Sequence, residues 1–184
     1  MGEQKDRMLR GDWYLDEPDL AEERRRCWRT LDRFNATGAD DDLERRRILD
    51  DLLAGFGPGA SVLPRFQCSY GSLITIGAGS FVNNDAIFMD DAPITIGDDV
   101  RIGSRAQLLT ALHPVEDHER RRAGWERPAP IAIGDNTWLG GGVIVCPGVT
   151  IGHNTVIGAG SVVIRDLPDH VFAAGNPARV VRGL

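Results

Sequence analysis

Aliphatic residues recur at every sixth position from Ile76 onward, and this spacing is the dominant hydrophobic pattern of the chain. A helix places apolar residues about every 3.6 positions and a half-buried strand at every second position, so neither explains a sustained period of six. A parallel β-helix does, because one side chain of each hexad enters a continuous core. The inward positions are Ile76, Val82, Phe88, Ile96, Ile102, Leu108, Ile133, Leu139, Val145, Ile151, Ile157 and Val163. These twelve hexads, at three per coil, predict four coils of a mainly β protein, and we expect Val62 to Tyr70 to contribute part of a fifth.

The hexad register breaks in two places. One break is a slip of two residues within the segment "DDAPITIG". The other is a polar stretch from Thr110 to Pro130 that contains no hexad and includes "HPVEDHERRRAGWERPAP". Insertions into a solenoid form loops on one face, and a long polar loop within a compact domain is usually functional. We therefore expect Thr110 to Pro130 to be an excursion loop that binds a ligand or carries catalytic residues.

Residues 1–58 differ in character from the repeats, since they are rich in Glu, Asp and Arg. Two sets of apolar residues have helical spacing, and "GFGPG" after them is a helix stop. The first set is Leu20, Trp28, Leu31 and Phe34, and the second is Leu43, Ile48, Leu49, Leu52 and Leu53. We predict two or three short helices that cap the open end of the first coil, where unpaired strand edges would otherwise be exposed. The predicted division is a helical segment over 1–58 and a β-helix domain with a C-terminal tail over 59–184.

Bulk properties narrow the class of protein. The chain has 184 residues and a formal net charge of −6, which argues against nucleic acid as the main partner. Its three cysteines show no CxxC spacing, which is typical of reduced intracellular thiols. The N-terminus lacks the apolar core of a signal peptide, and no run of 18 apolar residues occurs. We expect a soluble cytoplasmic protein without a membrane partner.

Several motifs together resemble the hexapeptide-repeat sugar O-acetyltransferases, the family of the maltose and galactoside enzymes. They are "MLRGDWYLDEPDL", "RRILDDLL", "SYGSLITIG", "MDDAPITIG", "HPVEDHERR", "IAIGDNTWLGGGVIVCPGVTIG" and "AAGNPARVVRGL". The resemblance covers nearly the whole chain. It implies a left-handed coil, a homotrimer with active sites between subunits, and transfer of an acetyl group from acetyl-CoA to a sugar hydroxyl.

His113 in the excursion loop matches the catalytic histidine of this family. Deprotonating a sugar hydroxyl requires a base that titrates near neutral pH, and histidine meets that requirement. We therefore expect His113 to be the general base for direct attack on the thioester. Glu126 is a candidate for orienting the ring of His113. The loop has one residue more than the family pattern between His113 and Pro130, so a role as a solvated surface glutamate agrees with the sequence equally well.

The resemblance also assigns binding residues for the acceptor and for acetyl-CoA. The positions aligned with sugar contacts are Asp16, Ser69, Asn83 and Asp91. Without the family, Asn83 and Asp91 would be ordinary turn residues. The positions aligned with acetyl-CoA contacts are Gly141, Ala159, Ile164, Arg165, Arg179 and Arg182. Gly141 replaces a serine of the galactoside enzymes, so only a backbone contact is possible there. Composition alone would assign Arg179 and Arg182 to a solvated tail.

Four alternatives remain at the level of sequence. The acceptor could be an antibiotic or another xenobiotic, or the solenoid could be a non-catalytic scaffold. A covalent route through Cys146 is conceivable, but no histidine adjoins it in sequence. His113 and His118 have the spacing seen in left-handed β-helix carbonic anhydrases, yet a catalytic zinc normally takes three protein ligands and no histidine precedes His113. We expect no metal requirement.

Overall fold

The computed structural model describes residues 2–184. Helices α1 to α4 span Glu3–Leu9, Pro18–Asn35, Asp42–Leu52 and His118–Arg122. Strands β1 to β20 span Tyr14–Leu15, Gly55–Phe56, Ser61–Val62, Phe66–Cys68, Ile74–Ile76, Phe81–Val82, Ala86–Met89, Ile94–Ile96, Arg101–Ile102, Gln107–Leu109, Ala111–Leu112, Trp125–Pro128, Ile131–Ile133, Trp138–Leu139, Ile144–Val145, Thr150–Ile151, Val156–Ile157, Val162–Val163, Val171–Gly175 and Ala178–Gly183.

Three parallel sheets form the faces of a β-solenoid. The first face contains β2, β5, β8, β13 and β16; the second contains β3, β6, β9, β14, β17 and β19, with β20 antiparallel at its edge; the third contains β4, β7, β10, β15 and β18. Every inward hexad position predicted from the sequence is buried in one continuous core. The prediction of a parallel β-helix with an N-terminal helical cap and an excursion loop is confirmed.

The solenoid has more coils than the hexads from Ile76 onward indicated. Strands β2 to β4 form a complete first coil, whose Val62 and Cys68 pack into the core, and β19 begins a sixth coil beyond the five complete ones. Phe56 opens the first coil inside the "GFGPG" segment, where the glycines indicated only a helix stop. The division at residue 58 remains a prediction.

Close stacking of the coils explains the glycine that follows most inward residues. A Cβ atom on Gly134 would lie 2.6 Å from the backbone nitrogen of His153 in the next coil, and one on Gly77 would lie 2.5 Å from the carbonyl carbon of Gly97. No side chain fits such gaps between successive backbones. The glycine of each "IG" pair therefore permits the close approach of successive coils.

The helical segment packs on the first coil and extends its core. Phe34 of α2 meets Phe66 edge to face at 6.5 Å, and Phe66 meets Phe88 of the second coil in the same way at 5.2 Å. Two residues of the predicted apolar stripes are not buried, since Trp28 is 50% exposed and Leu43 is 89% exposed. Helical spacing alone does not say which edge of a stripe reaches the core.

Candidate active site

Three connections of the solenoid, two of which hold the breaks in the hexad register, lie at the same corner, which connects the third face to the first face of the next coil. We call it the loop corner, and it comprises residues 69–73, 90–93 and 110–130, which follow β4, β7 and β10. The excursion loop forms the antiparallel pair β11 and β12, and β1 joins this pair as a third strand. The N-terminal segment, the first coils and the loop thus converge on one place.

A polar cavity of about 300 Å³ lies at the loop corner. The sequence-derived candidates Asp16, Ser69 and Asp91 all line it. Its remaining lining residues are Arg24, Met89, Ala111 and Glu126. Three acceptor candidates that are far apart in sequence are therefore brought together.

Asp91 lines this cavity and is almost fully buried. The Ser69 hydroxyl donates to its Oδ2 at 3.3 Å, and the Asp91 amide donates to the hydroxyl of Thr110 at 2.9 Å. Burial, and then the negative charge of Glu126, raise the pKa of Asp91. Its carboxyl group is therefore held in a fixed position and resists ionisation.

Asp16 is held by an arginine that sequence reasoning missed. The Arg24 guanidinium on α2 donates both to the Asp16 carboxylate and, at 2.8 Å, to the hydroxyl of Tyr70. Burial opposes the charge of Arg24, but the hydrogen bonds and negative charges of Asp16 and Tyr70 together outweigh it and raise the pKa of Arg24. The cavity thus contains a permanent cation beside its carboxylates.

Tyr14 of β1 connects two carboxyl groups of the site. Its hydroxyl donates to Oε2 of Glu126 at 2.7 Å and lies 3.3 Å from Oδ1 of Asp91. The side chain is fully buried, and burial followed by the charge of Asp91 raises the pKa of Tyr14 well above its usual range. The only sequence signal for this contact was the position of Tyr14 two residues before Asp16.

His113 follows β11 and is half-exposed beside the cavity. Its Nδ1 lies 3.2 Å from the carbonyl oxygen of Trp125, and its Nε2 lies 3.9 Å from Oε1 of Glu126. A carbonyl oxygen only accepts hydrogen bonds, so Nδ1 carries the proton and Nε2 of the neutral ring has a free lone pair.

Aromatic stacking fixes the loop that carries His113. The guanidinium of Arg120 on α4 lies 4.7 Å from the ring centre of Trp125 and 5.3 Å from that of Trp13. Arg127 of β12 donates to the carbonyl of Gly11 at 3.1 Å. The N-terminal segment and the excursion loop therefore hold each other in place.

Asn83, Gly141 and Ala159 lie at a different corner, between the second and third faces. We call this the glycine corner, and it comprises residues 83–85, 103–106, 140–143 and 158–161. Consecutive coils stack tightly there, as the amide of Gly160 donates to the carbonyl of Gly141 at 2.9 Å. The structure thus separates Asn83 from the other three acceptor candidates within one chain.

The remaining candidates lie toward the C-terminus. Ile164 and Arg165 follow β18 and are exposed. Arg179 and Arg182 are exposed on β20, where Arg179 pairs with Ala174 and Arg182 pairs with Phe172. Ala174 and Phe172 pack over Gly158, so both arginines lie near the glycine corner.

The cysteines show no sign of activation. Cys146 is partly buried after β15, and burial raises its pKa, whereas a nucleophilic thiol needs a lowered one. Cys27 and Cys68 are free and buried with their sulfur atoms 3.5 Å apart.

Within residues 2–184, no cluster of three or more His, Cys, Asp or Glu side chains is arranged to hold a metal ion. In the same range, no helix combines the length and apolarity needed to cross a membrane.

Comparisons with known proteins agree with this architecture. The maltose acetyltransferase hexapeptide capping motif matches residues 7–57, the bacterial transferase hexapeptide with six repeats matches residues 130–165, and the hexapeptide repeat of succinyl-transferase matches residues 93–108. The galactoside O-acetyltransferase of Escherichia coli is 42% identical over 89% of this chain and 80% of its own length.

Solved structures extend the similarity to the whole fold. A maltose O-acetyltransferase from Clostridium difficile superposes with a TM-score of 0.95 at 42% identity, covering 98% of this chain and 97% of its own. A hexapeptide-repeat acetyltransferase from Vibrio cholerae, solved with acetyl-CoA, superposes with a TM-score of 0.91 at 36% identity, covering 100% and 99%. The fold and the loop corner define a hexapeptide-repeat transferase. Within that class, this chain belongs to the maltose and galactoside type of acetyltransferase.

Proposed function

We propose that the protein transfers the acetyl group of acetyl-CoA to a hydroxyl of a sugar of the maltose, glucose or galactoside type, with His113 as the general base. The observation that carries this proposal is the arrangement of His113 between the carbonyl of Trp125 and the carboxylate of Glu126, beside a polar cavity. The names of the relatives support the substrate class.

The reaction follows from the free lone pair on Nε2 of His113. This atom takes the proton of the acceptor hydroxyl while the hydroxyl oxygen attacks the thioester carbonyl carbon. The carbon–sulfur bond of the resulting tetrahedral intermediate then breaks, and His113 returns the proton to the departing thiolate of coenzyme A. Glu126 faces Nε2 at 3.9 Å and stabilises the imidazolium that exists between these two proton transfers.

The cavity suits a polyhydroxylated acceptor. Asp16, Asp91 and Ser69 offer two carboxyl groups and a hydroxyl, and Arg24 supplies a cation, within about 300 Å³. Adjacent sugar hydroxyls both donate and accept hydrogen bonds, so they match this mixture of groups. An apolar acceptor such as an aromatic antibiotic would leave these polar groups unpaired, which disfavours the xenobiotic alternative.

A second subunit would complete the site. Asn83 and the acetyl-CoA candidates Gly141, Ala159 and Arg179 lie at or near the glycine corner, whereas His113 lies at the loop corner of the same chain. Bringing the glycine corner of one chain to the loop corner of another unites the two halves, as expected for a homotrimer with active sites between subunits. Ile164 and Arg165 would contact the nucleotide end of acetyl-CoA, and Arg179 and Arg182 its phosphates.

The experiment that tests this proposal measures thiol release from acetyl-CoA by the metal-chelated protein with maltose, glucose, a galactoside, an amino acid or chloramphenicol. We expect release only with sugars, and light scattering should give about three times the chain mass of 20.1 kDa. Release with chloramphenicol alone would move the assignment to a xenobiotic acceptor. An inactive, monomeric protein would contradict the proposal and leave the scaffold alternative.

A further inference from the structure

The pairing of β1 with β12 places a buried hydroxyl between two carboxyl groups of the site. Tyr14 is directly opposite Glu126 in this antiparallel pair, so both side chains project from the same face of the small sheet. Tyr14 packs with Met8, Leu20 and Tyr70 in a separate apolar cluster, which fixes the ring and leaves its hydroxyl at the cavity wall. The ring therefore has little freedom to change its partner.

We infer that Tyr14 is a positioning residue of the acetyl transfer reaction: its hydroxyl holds the Glu126 carboxylate opposite Nε2 of His113. This inference rests on the proposed function. The three side chains lie in a row. The Tyr14 hydroxyl donates to Oε2 of Glu126 at 2.7 Å, and Oε1 of Glu126 lies 3.9 Å from Nε2 of His113. The hydrogen bond from Tyr14 thus orients the Glu126 carboxylate, whose other oxygen is directed toward His113.

Counting protons shows why the tyrosine is directed at Glu126. A phenol has one proton, and the 2.7 Å contact to Glu126 uses it. The 3.3 Å contact to Asp91 then cannot be a second donation by Tyr14. That contact is a hydrogen bond only when Asp91 is protonated and donates to the phenol oxygen.

The surroundings keep Tyr14 protonated and therefore able to donate. The titratable and charged groups facing this pair of side chains are Asp16, Arg24, Tyr70, Asp91 and His113. The burial and nearby carboxylates that raise the pKa of Tyr14 prevent its ionisation at working pH. A permanently protonated donor at this position fixes a carboxylate without competing for the proton that His113 transfers.

A double-mutant cycle on kcat tests this role. Tyr14→Phe keeps the buried ring and removes only the hydroxyl, and it should lower kcat roughly 10- to 100-fold, the range for partners one shell from a reacting centre. The KM for acetyl-CoA should change little. Glu126→Gln should lower kcat comparably, and the double variant should be no slower than Glu126→Gln within about twofold.

A matched control sharpens the cycle. Tyr70→Phe removes an equally buried hydroxyl that bonds to Arg24, so its effect should multiply with that of Glu126→Gln. Losses that multiply for Tyr14→Phe with Glu126→Gln would overturn the inference. The inference would also be overturned if the loss in Tyr14→Phe failed to multiply with that of Asp91→Asn but multiplied with that of Glu126→Gln. An unchanged kcat in Glu126→Gln would overturn it as well.

Crystal structures of the wild-type protein and Tyr14→Phe provide a readout that does not depend on activity. We expect the Glu126 carboxylate to move away from Nε2 of His113 when the hydroxyl is absent. An unmoved carboxylate would overturn the inference even if activity falls. If the wild-type protein acetylates no acceptor, the proposed function fails, while the structures still decide whether Tyr14 positions Glu126.

Discussion

The Nδ1 atom of His113 lies 3.2 Å from the carbonyl oxygen of Trp125, so the orientation of the proposed base depends on the backbone of β12. That backbone is stabilised from outside, because Arg120 stacks on Trp125 and on Trp13. The N-terminal segment thereby influences the ring of His113 without touching it.

Arg120→Ala should therefore loosen the excursion loop and lower activity. Cation–π contacts at exposed sites contribute about 0.5–1 kcal/mol each, so losing two should reduce the free energy of unfolding by about 1–2 kcal/mol. Turnover should fall several-fold because the carbonyl of Trp125 becomes mobile. Urea denaturation and the thiol-release assay measure the two effects.

The control is Arg122→Ala, which removes the same charge from the same short helix. The structure places the guanidinium of Arg120, not that of Arg122, over the two tryptophan rings. Equal losses in both variants would show that net charge rather than stacking stabilises the loop.

Asp90 should make stability depend on pH. Its carboxylate is fully buried and accepts the amides of Tyr70 and Leu73, and burial raises its pKa from 3.8 to about 7. Between these values the folded state binds the proton more tightly than the unfolded chain. The free energy of unfolding should therefore decrease as pH rises from about 4 to about 7, by at most about 1.4 kcal/mol per pH unit from this group.

Urea denaturation of Asp90→Asn at several pH values isolates this contribution. The stability of the variant relative to wild type should rise steadily between about pH 4 and pH 7, because asparagine does not titrate. The exposed Asp40→Asn serves as control and should show no such trend. A constant difference between Asp90→Asn and wild type would mean that folding does not raise the pKa of Asp90.

The sequence predicted the solenoid well because the hexad pattern is local. Each inward residue follows from its neighbours. Only part of the first coil, Val62 to Tyr70, was predicted, because Phe56 at its start lies among glycines that also end helices. Asp16, Ser69 and Asp91 were assigned to the acceptor through the resemblance, and the structure places all three around one cavity.

The parts that sequence missed depend on tertiary contacts. The sequence does not distinguish Arg24 from the other arginines of residues 1–58, and Tyr14 is distinguished only by its place in the motif "MLRGDWYLDEPDL". Their roles come from pairing β1 with β12 and from packing α2 on the first coil, which no local pattern encodes. The resemblance assigns Asn83 and Asp91 to the same acceptor, but they lie at different corners. A coil returns to the same corner only after three strands, and Asn83 follows β6 whereas Asp91 follows β7.

Arg179→Ala should weaken acetyl-CoA binding. Removing a charge-assisted hydrogen bond to a phosphate costs about 1.5–3 kcal/mol, so the KM for acetyl-CoA should rise roughly 10-fold or more while the KM for the sugar changes little. Steady-state kinetics with each substrate varied in turn measure both values. The control Arg33→Ala removes an exposed arginine from α2 and should leave both KM values unchanged. A rise in the sugar KM alone would mean that the two ends of the cleft are wrongly assigned.

The most direct test of the account compares His113→Ala with His118→Ala in sugar acetylation, followed by mass spectrometry of the acetylated product. Both histidines are exposed residues of the excursion loop, but His118 lies on α4 and contacts Arg121 rather than Glu126. We predict that His113→Ala lowers turnover roughly 10²- to 10⁴-fold while acetyl-CoA still binds, and that His118→Ala remains near wild type. Near-full activity in His113→Ala would contradict the account.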